Sequence, residues 1–117
     1  NAVAILLHSI VGGVAVSSAR SQQMMKLLKR SLNPSDLATD VDENQITGFI
    51  GEGLTQNDQI WSKAGWTSQV RHDAAYIEIQ GQQPYILVVF TEGRANSKNR
   101  EIIPFISEKI ASVIVRV

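Results

Sequence analysis

Lys63 and Gly65 stand two residues apart at the end of an apolar run, in the stretch Trp61-Ser62-Lys63-Ala64-Gly65-Trp66-Thr67-Ser68. A lysine on a strand most simply keeps an exposed edge soluble. Gly65 argues for more. It has no Cβ, so another group can approach the backbone closely, and the N–H groups after it are free to point at a ligand. A cation beside an exposed strand N–H suits a carboxylate, or an oxyanion formed during acyl transfer.

Arg71-His72-Asp73 also contains general-base material. Neighbouring residues on a strand point to opposite faces, so His72 and Asp73 form no relay with each other. A structural Arg71–Asp73 pair near a turn is the simpler reading. His8 falls in a helical pattern, as a packed or surface histidine, and two isolated histidines offer no metal-ligand spacing. Of the tryptophans, Trp61 is expected in the core and Trp66 at a cleft rim.

The elements that must position these residues can be read from periodicity. Val3, Leu6, Leu7 and Ile10 form one helical stripe, which Gly12-Gly13 ends. Ser17 or Ser18 caps a second helix with Met24, Leu27, Leu28 and Leu32 on its apolar side, broken at Asn33-Pro34. Residues 35–44 read as a polar loop or a weak helical turn, and 46–50 as a short helix closed by Gly51 and Gly53. From Gln59 the period becomes two, giving strands over 59–64, 74–79 and 85–91. Gly81-Gln82-Gln83 is a hairpin connection, and Ile86-Leu87-Val88-Val89-Phe90 should be buried on both faces. A last helix over 97–116 carries Ile102, Ile106, Ile110, Val113 and Val117 on one side; Pro104 either begins its regular part or kinks it. The expected class is α+β: helices over 1–54, a three-stranded antiparallel sheet over 55–93, and a long C-terminal helix over 94–117 covering one sheet face.

With 44% hydrophobic and 19% charged residues the chain is ordinary globular material. Eleven basic and eleven acidic residues cancel, without a block of like charge, which argues against a nucleic-acid or anionic-membrane partner. There is no cysteine, and the apolar run at the start is too short to span a bilayer. The first residue is not methionine and already lies inside a helical pattern, so a piece of a longer polypeptide is expected.

Lys63-Ala64-Gly65 resembles the Lys-Thr-Gly box of the serine β-lactamase and penicillin-binding protein superfamily. The stretch SKAGWTSQVRHDAAYIEIQGQQPYILVVFTEG is similar to the region after that box in class A β-lactamase-like hydrolases. AVAILLHSI-VGG-VAVSSARSQQMMKLLKRS is similar to the paired helices that lead towards it. The resemblance implies that Lys63 supports the proton network of a nucleophilic serine and attracts a substrate carboxylate. It also makes Gly65 the box glycine and the backbone N–H of Trp66 half of an oxyanion hole. Thr67 and Ser68 then sit where the edge strand meets substrate, and Arg71 adds a second positive charge. Ala64 departs from the pattern, because a hydroxyl residue usually stands there and bonds the substrate carboxylate. Its loss leaves room for another substrate or weak activity.

The nucleophile of that superfamily sits in a Ser-x-x-Lys motif, and no serine here has lysine at that spacing. Gly51-Glu52-Gly53 is not in the position of its general base, and Ser31-Leu32-Asn33 only imitates its Ser-x-Asn motif. The resemblance therefore implies the C-terminal part of a domain. Its partners would be a β-lactam or cell-wall peptide and the remaining N-terminal part of the same protein, outside the cytoplasm, with no metal or cofactor. Two other readings stand beside it: a non-catalytic module that holds a peptide carboxylate, and an unrelated α+β interaction domain whose exposed strand joins a partner's sheet.

Overall fold

The computed structural model describes residues 1–38 and 44–116. Helix α1 (Ala2–Val11) is capped by the Asn1 side chain, and α2 (Ser18–Leu28) by Ser17, whose hydroxyl accepts from Arg20 N–H. Strand β1 is only Lys29–Arg30 and follows α2 directly. Two 3₁₀ turns, Pro34–Asp36 and Ile50–Gly53, come before β2 (Gln59–Trp66), β3 (Val70–Glu78) and β4 (Tyr85–Glu92). Short helix α3 (Arg94–Lys98) and long helix α4 (Ile102–Arg116) complete the chain.

The sheet is antiparallel throughout, in the order β1-β2-β3-β4. Alternation sends Ile60, Ala64, Ala75 and Ile77 to one face, where they pack with Ile46, Phe49, Ile50 and Ile103. The segment after Gln45 therefore lies between that face and α4, and Ser107 Oγ of α4 donates to Ile50 O at 2.7 Å. Helices α1 and α2 lie on the other face. There Val3, Leu6, Leu7, Ile10 and Leu28 form an apolar pocket with Ala74 and the stem of Lys63.

The α+β class, the hairpin at Gly81 and the two N-terminal helices agree with the sequence reading. Several details differ. The sheet gains a fourth strand, because Lys29 and Arg30 leave the helix to pair with Trp61 and Ile60. The short 3₁₀ turn begins at Ile50 and contains the glycines expected to close it. Strands β2 and β3 are longer than expected, so Gly65, Trp66 and Arg71-His72-Asp73 lie inside them.

Strand β4 is not buried on both faces: Val89 alone is buried, and Phe90 is 54% exposed. It is the outermost strand, and α1 covers only part of it. The last helix is broken at 99–101, and Pro104 sits harmlessly in the first turn of α4. Its buried side is Ile103 and Ser107, with Ile110 and Val113 exposed. The buried side is thus offset by one position from the expected apolar stripe, since small Ser107 rather than a bulky residue faces Gly53. Val117 and residues 39–43 of the 35–44 loop lie outside the described residues.

Candidate functional site

Beyond Trp61 the outer edge of β2 has no backbone partner in β1. Its polar groups are taken by side chains instead. Arg30 Nε and Nη2 donate to Ser62 O at 3.1 and 2.9 Å. Ala64 N–H donates to Gln45 Oε1 at 2.8 Å, and Lys63 Nζ donates to Ala64 O. In an antiparallel strand every second residue sends its N–H and C=O to the same edge. Trp66 N–H consequently points the same way as Ala64 N–H, at the far end of this edge.

Lys63 and Gly65 share the α1/α2 face, opposite Ala74 and His72. Where a Cβ would stand on Gly65 there is no atom within 4 Å, so the backbone is open on that side. The Lys63 stem lies on apolar side chains while its ammonium reaches the strand edge. Ala64 and Trp66 face the core; Ala64 is buried, and the Trp66 ring lies 5.4 Å from that of Phe49.

The turn after Trp66 is closed by Thr67. Its hydroxyl accepts from the N–H groups of Gln69 and Val70 at 3.1 and 3.2 Å, and its N–H donates to Val70 O. Ser97 Oγ donates to Ser68 O at 2.9 Å, and Gly93 N–H to Gln69 O at 2.7 Å, so α3 holds the turn from behind. Ser68 is exposed beside it.

Arg71 does not reach this edge. It is 3% exposed on the core face, where Nε and Nη2 donate to Gly48 O at 3.1 and 3.0 Å. Its guanidinium lies 3.8 Å from the centre of the Phe49 ring, and burial followed by the charge of Arg100 lowers its pKa. The register explains this, since Arg71 is paired with Trp66 and shares its face. A structural Arg71–Asp73 pair is not formed either: the Asp73 carboxylate accepts from Ile50 N–H and Ala74 N–H, both at 2.9 Å. Burial pushes the Asp73 acid up to about 7, against the pull of those two N–H groups and of Arg30 and Lys63.

His72 turns to the opposite face, where Nδ1 accepts from Thr91 N–H at 3.2 Å and the ring packs edge-on to Phe90. His8 is exposed. Trp61 does not lie in the core as expected. Trp66 is packed against the core, whereas Trp61 lies on the α1/α2 face beneath Lys29 Nζ, 3.9 Å from its ring centre. Arg30 and Gln45 were not singled out from sequence. Arg30 reads there as the solvated end of a helix, and nothing local marks Gln45. Among the described residues no three His, Cys, Asp or Glu side chains gather around a possible metal position, and no helix is long and apolar enough to cross a membrane.

Solved structures share this fold. PBP-A superposes with a TM-score of 0.74 at 17% identity, over 98% of this chain and 39% of that one. The β-lactamase of Sphaerobacter thermophilus gives 0.69 at 18%, over 98% and 40%, and that of Francisella tularensis 0.67 at 22%, over 94% and 39%. The chain thus spans about two-fifths of the length of these proteins. No curated protein sequence matches it. The sequence profile described as "Beta-lactamase enzyme family" matches residues 1–114. A match of that extent, on a shared fold, means that the chain belongs to the β-lactamase enzyme family.

Proposed function

We propose that this chain supplies the strand wall of an acyl-transfer site in a serine β-lactamase-like hydrolase. The observation that carries the reading is the free end of β2, where a cation, an open glycine and an outward N–H meet within four residues. In this reading a serine outside the chain attacks the carbonyl of a β-lactam or a cell-wall peptide. Trp66 N–H stabilises the oxyanion, because a fixed dipole aimed at developing charge needs no reorganisation. The Lys63 ammonium holds the substrate carboxylate and favours loss of the serine proton. Thr67 and Ser68 border the substrate, and water then releases the acyl group. Arg71 acts at a distance, by holding the Gly48 loop behind Trp66.

The partner of this wall is the remaining part of the same protein, and substrates of this class place it outside the cytoplasm. Of the solved relatives, one PBP-A variant is described as an acyl-enzyme complex with penicillin G. A non-catalytic carboxylate-binding module is the second reading. Ala64 favours it: its methyl faces the core and offers no hydroxyl to a ligand.

Covalent labelling of the full-length protein by a fluorescent penicillin separates the two, and Lys63→Ala localises the effect. We expect the wild type to be labelled and Lys63→Ala to label on the order of 100-fold more slowly, with an unchanged circular dichroism spectrum. A wild type that binds but never labels favours the binding module. Equal labelling of both proteins would show that Lys63 does not serve the reaction.

A further inference from the structure

An extended ligand adding to the edge of β2 would bond to alternate residues: Ser62, Ala64 and Trp66. The first two are already occupied. Arg30 takes Ser62 O through two nitrogens, and Gln45 Oε1 takes Ala64 N–H at 2.8 Å. Gln45 is itself held in place, since Arg30 Nη2 donates to the same oxygen at 3.3 Å. The side-chain amide stands where the carbonyl of an incoming backbone would stand.

We propose that Gln45, braced by Arg30, is a specificity-determining residue that closes the box-strand edge below Trp66. A compact acyl donor needs only the Trp66 end and is admitted. A longer extended peptide must displace the Gln45 amide, and it loses one backbone hydrogen bond if it cannot. This rests on the acyl-transfer reading above and adds its substrate class: small, carboxylate-bearing acyl donors whose backbone contacts end at Trp66.

The test uses the full-length protein and two acyl donors, nitrocefin and an N-acyl tripeptide thioester. Gln45→Ala clears the edge, whereas Gln45→Glu keeps an oxygen for Ala64 N–H and a partner for Arg30. We expect Gln45→Ala to lower KM for the peptide about tenfold, the worth of roughly one recovered hydrogen bond. Turnover of nitrocefin should stay within about twofold, and Gln45→Glu should behave as wild type. Should Gln45→Ala not fold, Gln45→Asn carries the same test, being one methylene too short to reach Ala64. Equal changes for both donors, or none for the peptide, overturn the cap while acyl transfer stands. A wild type acylated by neither donor overturns acyl transfer itself, and the cap with it.

Discussion

Asp73 is 1% exposed and lies directly across the ladder from Ala64, with both carboxylate oxygens turned to backbone N–H groups. Its acid is pushed up to about 7 from an ordinary 3.8, chiefly by burial. The folded protein then keeps this proton up to about pH 7, while the unfolded chain releases it near 3.8. In that window the folded state binds more protons, so its stability falls as pH rises. At about 1.4 kcal/mol per unit the loss is at most about 4 kcal/mol. Asp73→Asn removes the slope, because its neutral amide offers one acceptor oxygen and one donor group as the protonated acid does. Urea unfolding between pH 4 and 8 should therefore show wild type close to Asp73→Asn at pH 4 and clearly below it at pH 8. A difference that does not vary with pH would refute this.

At the scale of elements, two glycines separate folding from function. A Cβ on Gly53 would stand 2.7 Å from Pro104 O and Glu108 N, both backbone atoms of α4 that cannot give way. A Cβ on Gly65 would meet nothing. Gly53→Ala should cost about 3 kcal/mol, whereas Gly65→Ala should leave stability within about 0.5 kcal/mol and still slow acylation by crowding the open face. Denaturant midpoints and penicillin labelling of the two full-length variants check both arms, and equal loss of stability would contradict the contrast. The same contacts show why some elements were legible and others not. Strands β2 and β3 follow from period-two alternation, and the Ser17 cap and the Gly81 hairpin follow from local chemistry. The face of α4 did not follow, because it is chosen by the close approach of Gly53, which lies far back in the chain and is invisible to any local pattern. Strand β1 escaped for the same reason: two residues at a helix end pair only because Ile60 and Trp61 are there. For the site, Lys63, Gly65 and Trp66 could be read together as one strand end. Arg71, expected to add a second positive charge there, turns to Gly48 O instead, since its direction depends on a register that only the folded hairpin fixes.

The molecule as a whole leaves apolar surface unmatched. The outer edge of β4 has no strand partner among the described residues, and Leu27, Phe90, Phe105 and Val113 are exposed. A long apolar edge strand is a template for pairing with another chain. Residues 1–117 produced alone should accordingly self-associate at micromolar concentration, and Phe90→Lys should shift them towards monomer. Light scattering after size exclusion measures this; a monodisperse monomer of the unmodified chain would show the edge to be protected. A different constraint follows from α3. Ser97 and Gly93 grip the carbonyls of Ser68 and Gln69 from behind, and Thr67 spans the turn internally. Loop length beside the site is therefore a fixed quantity, for an inserted residue would have to break one of those bonds. The hairpin at residues 80–84, closed by the single Gln82 N–H to Ile79 O bond, carries no such clamp. Variation in length is free to accumulate at the end of the sheet away from the site, and the end beside it must change by substitution alone.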